Sequence, residues 1–132
     1  MNTLIFDIET NAIKDFKTLC GLNTIHCIAL AKPGEDPEIV ETEEALKRLS
    51  LADIIVGHNI LNFDIPAIKR LHPDWDINQS CVRDTLVMSR MLWPDVQNED
   101  WTIPEFPRNL IGRHSLKAWG VRLGILKGPF GE

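Results

Sequence analysis

The chain has 132 residues, of which 44% are apolar and 25% are charged. This length suits one compact domain rather than two, and the composition is that of an ordinary soluble globular protein. The net charge of −5 argues against a large basic face for tight nucleic-acid binding, although an acidic metal site would give the same sign. No apolar run reaches the roughly eighteen residues of a membrane span, and no signal peptide is expected.

The cysteines are odd in number and show no C-x-x-C spacing. They are Cys20, Cys27 and Cys81. This pattern predicts reduced thiols in small core or surface positions, and hence a cytoplasmic protein.

The first half of the chain predicts four strands and a helix. Residues 3–9 form an apolar run typical of a central strand buried on both faces. Thr42, followed by two glutamates, is expected to be the N-cap of a helix that ends near Leu49. The four predicted strands are residues 3–9, 26–31, 38–41 and 53–58.

The second half predicts a short strand and three helices. Pro66 suits the first turn of a helix through Leu71, and a further helix should follow Asp84. Residues 93–109 are rich in Pro and Asp and are expected to be irregular. The remaining predicted features are the strand Cys81-Val82, the last helix capped by Ser115, its end at Gly124, and the Gly128–Gly131 tail. The order β-β-β-α-β-α-β-α predicts an α/β fold with a mixed sheet and flanking helices.

Two acidic residues lie within the first predicted strand. Asp7 and Glu9 are two positions apart, so their side chains leave the same face of the strand, roughly 6–7 Å apart at Cβ. Two such carboxylates can reach one hard cation, and ligation by oxygen alone suits Mg²⁺ or Mn²⁺. By itself, this spacing is more often a solvated strand end.

A second group of polar residues follows the strand at residues 53–58. Asp64 is expected at a helix start, where the helix dipole favours an ionised carboxylate, although Asp is also a common N-cap. Asn59 could bond the loop backbone or a bound nucleotide, and His58 is more often a packed or loop-bonding histidine than a ligand. Phe63 could stack on a base, but an aromatic residue beside a helix start usually belongs to the core.

These motifs together resemble the DEDD superfamily of 3′–5′ exonucleases. Asp7-Ile8-Glu9-Thr10 is similar to its first motif, and Asn59–Asp64, with the pattern Asn-x-x-x-Phe-Asp, is similar to its second. The stretches Arg83–Arg90 and His114–Gly124 resemble the proofreading domain of family A DNA polymerases of short-tailed phages, in the same order. The resemblance therefore spans nearly the whole chain.

The resemblance implies a ribonuclease-H-like fold and two-metal hydrolysis of the 3′-terminal phosphodiester of single-stranded DNA, with Mg²⁺ or Mn²⁺ as cofactor. Asp7 would bridge two metals, Glu9 would bind the one that activates water, and Asp64 would hold the second. Thr10, Asn59 and Phe63 would form the substrate-binding set. The expected partners are DNA, a polymerase domain or a complementary C-terminal fragment, inside a bacterial or phage-infected cell.

The chain departs from the family pattern at its C-terminal end. The family needs a fourth Asp, with a Tyr or His shortly before it, in a third motif. Here only eight residues follow Gly124, with Glu132 as the single acid, and the chain contains no Tyr. His114 precedes no suitable Asp. Asp84 is expected to be a structural cap rather than a substitute, and the acids between Asp95 and Glu105 would reach the site only by chance.

The sequence therefore predicts a single exonuclease-like domain, residues 1–132, that is incomplete at its C-terminus and weak or inactive alone. The alternative is a non-catalytic domain that keeps the fold and binds DNA ends or a polymerase partner. A ribonuclease or resolvase is a third hypothesis that motif order makes weaker. Self-association is also expected, because a missing helix would leave apolar surface exposed.

Overall fold

A computed structural model describes residues 1–15 and 17–125, and its contacts divide the chain into two compact units. The first unit is Met1–Thr85, and the second begins at Leu86. The predicted Gly128–Gly131 tail and Glu132 lie outside the described residues.

The first unit contains a five-stranded sheet in the order β3-β2-β1-β4-β5. Strands β1, β2 and β3 pair antiparallel, whereas β1, β4 and β5 pair parallel. The strands are β1 (Thr3–Thr10), β2 (Ile25–Ala31), β3 (Glu38–Val40), β4 (Ile54–Gly57) and β5 (Val82–Asp84). This mixed sheet with flanking helices confirms the expected α/β class and is consistent with a ribonuclease-H-like fold.

Helical segments connect these strands and complete the first unit. They are α1 (Thr42–Leu51), a π-helical turn (Ile60–Asp64), α2 (Ile65–Leu71) and a 3₁₀ turn (Gln79–Cys81). Each strand differs from the sequence prediction by one or two residues at one or both ends, and two boundaries of helical segments differ as well. Cys81 ends the 3₁₀ turn instead of starting a strand. Thr42 is already helical, so that Glu41 is the N-cap of α1 and makes no side-chain capping bond.

The prediction that β1 is buried on both faces is wrong. Leu4, Phe6 and Ile8 are buried, but the alternating positions Ile5, Asp7 and Glu9 are exposed. The reason is the two-residue period of a strand, which sends alternate side chains to opposite faces. The strand lies centrally in the sheet, and one of its faces carries the carboxylates.

The core of the first unit lies on the other face of β1. Helices α1 and α2 contribute Leu46, Leu49 and Ile68 to the cluster that contains Phe6 and Ile28. The indole Nε1 of Trp75, which lies beyond α2, donates to the Leu46 carbonyl at 3.0 Å. The core therefore packs both helices against the sheet on one side and leaves the exposed face of β1 on the other.

The second unit contains short helices around a smaller apolar cluster of Phe106, Leu110 and Ala118. Its segments are most of α3 (Thr85–Leu92), α4 (Val96–Asp100), a 3₁₀ turn (Arg108–Leu110) and α5 (Leu116–Leu123). Residues 93–109, predicted to be irregular, thus include a helix and the start of a 3₁₀ turn.

The ends of α5 agree with the prediction. Ser115 is the N-cap, and its hydroxyl accepts from the Ala118 N–H at 3.2 Å. Gly124 ends the helix with φ of 71°, a left-handed conformation that glycine adopts without steric cost.

All three cysteines are free thiols, as expected. Within residues 1–15 and 17–125, no helix combines the length and apolar character needed to cross a bilayer.

Candidate carboxylate site

Strand β1 presents Asp7 and Glu9 on its exposed face, as their spacing predicts. They lie in its second half, where β1 pairs with β2 through Asp7–Ala29 and Glu9–Cys27. Thr10 ends the strand, is half-buried, and donates its hydroxyl to the Asn11 carbonyl at 3.0 Å. These residues are therefore held by the sheet rather than by a mobile loop.

The second motif begins where β4 ends. Gly57 is necessary there, because a Cβ atom at this position would overlap the Ile60 side chain and lie 3.0 Å from the Phe6 carbonyl oxygen. Asn59 follows with φ of 62°, in the left-handed region that Asn tolerates better than most residues. The chain then enters the π-helical turn that ends at Asp64.

Asp64 lies below β1, with only 3% of its surface exposed. One carboxylate oxygen accepts a hydrogen bond from the backbone N–H of Ile8 at 3.2 Å. Because Ile8 lies between Asp7 and Glu9, this bond joins the two acidic motifs directly. The structure therefore places the second motif against the first, fifty-six residues away along the chain.

Burial, and after it the negative charge of Asp7, raise the pKa of Asp64 to about 7. The hydrogen bond from Ile8 opposes these effects without cancelling them. The prediction that a helix start favours the ionised carboxylate is therefore wrong here. Asp64 ends a π-helical turn that runs directly into α2, and its side chain makes no capping bond to α2.

The donor chemistry of this pair suits a hard divalent cation. Asp7 and Asp64 are carboxylates close enough to repel each other, and a cation between such groups would relieve that repulsion. However, no three His, Cys, Asp or Glu side chains in the described part of the chain converge into a group that could hold a metal ion. Two carboxylates, Asp7 and Asp64, are thus brought together, and Glu9 shares the strand face of Asp7.

Asp84 holds the start of the π-helical turn. Its two carboxylate oxygens accept from the backbone N–H groups of Asn59, at 2.9 Å, and Leu61, at 3.0 Å. Asp84 is buried at the end of β5, and it pairs in register with Gly57 of β4. Asp84 is therefore a structural cap, as expected, but it caps the π-helical turn after β4 and not the helix that follows Asp84 itself.

His58 and Phe63 have structural contacts. The Nδ1 atom of His58 lies 2.9 Å from the Thr85 hydroxyl oxygen, and that hydroxyl donates to the Gly57 carbonyl at 3.3 Å. Phe63 is partly buried and packs against the core of the first unit. These contacts agree with the structural interpretation of both residues, and Phe63 as a base-stacking residue stays a prediction.

Asn11 organises the loop after β1, a role that the sequence analysis did not identify. Its amide group donates to the Gly21 carbonyl at 2.6 Å, while its side-chain oxygen accepts from the N–H groups of Asn23 and Thr24, both at 3.0 Å. An Asn directly after a strand is a recognisable turn signal, but its partners at positions 21–24 are not visible in the sequence.

The acids of residues 95–105 include one with a defined partner in the second unit. Asp100 is 1% exposed and binds Arg122 through two hydrogen bonds of 2.7 Å each. It also accepts from the Gly112 N–H at 2.9 Å. The hydrogen bonds from Arg122 hold the pKa of Asp100 below its ordinary value. Asp100 therefore stabilises its own unit.

The chain matches no protein-family model. It is 27% identical to the DNA-directed DNA polymerase of Escherichia phage T7, over 96% of this chain and 20% of the polymerase. It is 29% identical to the DNA-directed DNA polymerase of Enterobacteria phage T3, again over 96% of this chain and 20% of the polymerase. The chain is thus related over nearly its whole length to phage DNA polymerases, and it spans about a fifth of their length.

Proposed function

We propose that this chain is the 3′–5′ exonuclease domain, or most of it, of a phage-type DNA polymerase. The observation that carries the proposal is the bond from Ile8 to Asp64, which places a buried carboxylate against the strand that bears Asp7 and Glu9. A carboxylate with a pKa raised by burial and by a second carboxylate is typical of functional sites.

In this proposal Asp7, Glu9 and Asp64 are the catalytic residues and hold Mg²⁺ or Mn²⁺. Two such ions, when bound, would stabilise the attacking and leaving oxygens of the phosphodiester. Thr10 and Asn59 would seat the 3′-terminal nucleotide, because Thr10 ends the strand that bears Asp7 and Glu9 and Asn59 precedes the turn that ends at Asp64. Phe63 would contribute through its partly exposed ring.

The partners proposed for the chain follow from its relatives. Both relatives are named as DNA polymerases, and this chain matches only a fifth of each. We therefore propose DNA with a single-stranded 3′ end as substrate, and the remaining polymerase segments as partners. The isolated chain is expected to digest DNA weakly or not at all, because a two-metal site without one of its ligands loses several kcal/mol of transition-state stabilisation.

A second candidate function is a non-catalytic domain that binds DNA ends or a polymerase partner. One observation favours it: no group of three potential metal ligands is assembled in residues 1–15 and 17–125. The two candidates differ in what they require of the carboxylates. A binding domain has no need for cation affinity that depends on Asp7, whereas an exonuclease domain does.

The deciding experiment is calorimetric titration of the purified chain with Mn²⁺. We expect weak binding that Asp7→Asn abolishes, while Asp36→Asn leaves it unchanged, because Asp36 is an exposed aspartate in the turn between β2 and β3. Digestion of end-labelled single-stranded DNA should be slow and should need Mn²⁺. Unchanged Mn²⁺ affinity in the Asp7→Asn variant would refute the proposed site. Faster digestion of RNA than of DNA would favour another nuclease class.

A further inference from the structure

We propose that Asp84 is a positioning residue for the carboxylate site, because it fixes the turn that carries Asp64 to its place beneath β1. This inference deepens the proposed function in one respect, the affinity for a divalent cation. Its structural part stands apart from catalysis and can be tested without metal.

The first step is the geometry at the start of the π-helical turn. The first N–H groups of a helical segment have no carbonyl partner within it. Asp84 accepts from one of these groups, at Leu61, and from the N–H of Asn59 directly before the turn, with one carboxylate oxygen each. Because Asp84 is 4% exposed, water cannot readily replace these bonds.

The second step links this contact to Asp64. The turn is five residues long, with Asn59 directly before it and Asp64 as its last residue. It closes through the Ile65 N–H, which bonds to the Ile60 carbonyl, one residue wider than the α-helical pattern. A helical segment passes on any rotation at its start, so the anchored Asn59 and Leu61 determine which way Asp64 points.

The third step is the choice of side chain. The N–H groups of Asn59 and Leu61 point at different oxygens of Asp84, so both terminal atoms of the side chain must be acceptors, as they are in an ionised carboxylate. An Asn at this position would offer one oxygen and direct its NH₂ group at the other N–H. The substitution Asp84→Asn therefore removes one anchor of the turn with almost no change in side-chain shape.

The adjacent residue provides a matched control. Thr85 also joins β4 to the end of β5, but its hydroxyl bonds to His58 and Gly57 and not to the π-helical turn. Thr85→Val removes these bonds with little change in volume. Both Thr85→Val and Asp84→Asn should lower the midpoint of thermal unfolding, but Thr85→Val should not displace Asp64.

The experiment measures amide hydrogen exchange of Ile8 in the metal-free chain, relative to the amides that pair β1 with β2. The Ile8 N–H donates to Asp64, so its protection reports whether Asp64 is in place. We expect Asp84→Asn to accelerate Ile8 exchange about tenfold over the reference amides, and to weaken Mn²⁺ binding by about the same factor. Thr85→Val should change neither ratio.

Unchanged Ile8 exchange in Asp84→Asn would overturn the inference, as would an equal acceleration in Thr85→Val. If Asp84→Asn does not fold, Asp84→Glu keeps the charge but displaces both oxygens by one methylene, and it should give a smaller change of the same sign. The two proposals fail separately. Insensitivity of Mn²⁺ binding to Asp7→Asn refutes the metal site, whereas unchanged Ile8 exchange refutes only the positioning role.

Discussion

Asp64 and Asp100 are both almost fully buried, at 3% and 1% exposure, yet their pKa values move in opposite directions. Asp64 belongs to the sheet-containing unit, and the charge that raises its pKa most is that of another carboxylate, Asp7. Asp100 belongs to the helical unit and meets a guanidinium at 2.7 Å. Burial is common to both residues, so the charged neighbour decides which protonation state is favoured.

The difference separates a structural carboxylate from a candidate functional one. The ion pair of Asp100 satisfies its charge within the fold, and the Arg122 guanidinium lies 4.6 Å from the centre of the Trp119 ring. Among the described residues, Asp64 accepts only from backbone N–H groups, that of Ile8 at 3.2 Å and its own, and it has a repelling neighbour in Asp7. A fold keeps such an uncompensated group at a cost in stability, which is typical of sites that bind or react.

The largest effect is expected from a substitution that breaks the ion pair of Asp100 and Arg122. Arg122→Met leaves the Asp100 charge buried without its partner, and we expect the free energy of unfolding to fall by about 3–5 kcal/mol. Urea unfolding at pH 7 measures this loss. Arg90→Met, which replaces an exposed cation of α3, should cost far less. A similar loss in both variants would mean that the Asp100 pair contributes little.

The second prediction removes the uncompensated charge. The pKa of Asp64 rises from 3.8 to about 7 on folding, so between these values the folded state holds a proton that the unfolded state has released. The stability from this group is therefore complete below about pH 4 and is lost as the pH rises through 7. Asp64→Asn, which is always neutral, should be more stable than the parent chain at pH 8 by about 2–4 kcal/mol.

Urea unfolding of the metal-free chain at pH 4, 6 and 8 tests this prediction. The advantage of Asp64→Asn should grow with pH, and Asp36→Asn, at an exposed position, should show no such trend. An advantage that is constant across the three pH values would show that Asp64 is not held in the neutral form by its surroundings.

The smallest expected effect is the loss of an uncharged contact, which gives a reference for the two effects that involve charge. Ser115→Ala removes the N-cap of α5, the helix that also carries Arg122, and should cost about 1 kcal/mol. The loss should be independent of pH, because no titrating group is involved. Thermal unfolding at pH 5 and 8 measures it, with Ser50→Ala, an exposed serine near the end of α1, as the comparison. A pH-dependent loss would couple this cap to the Asp100 pair.

Much of the fold could be predicted from local patterns. Apolar runs and turn residues located the strands and the helices of the first unit, and Ser115 and Gly124 marked the ends of α5. The error at β1 also has a local cause. Leu4, Phe6 and Ile8 alternate with Ile5, Asp7 and Glu9, so the two-residue period was present inside a run that appeared continuous.

The site was predictable in its residues but not in its electrostatics. The spacing placed Asp7 and Glu9 on one face, and the second motif identified Asp64. The helix-start argument gave Asp64 the wrong charge preference, because burial and the charge of Asp7 outweigh it and no local pattern shows either of them. No local signal indicates the π-helical turn either. The partners of Asp84, Asn59 and Leu61, follow the neighbouring strand β4, and the partner of Asp100 is twenty-two residues away, so both contacts depend on tertiary structure.

The π-helical turn also constrains how this sequence can diverge. Asn59 and Asp64 are separated by the length of that one turn, and each residue of a helix rotates its side chains by about 100°. A single deletion among Ile60–Phe63 would therefore direct the Asp64 carboxylate away from Ile8 while every motif residue remained in the sequence. Substitutions are tolerable at the exposed Leu61 and Asn62, whereas a change of length is not. In distant relatives of this chain, the interval between these two residues should be more constant than the residues that fill it.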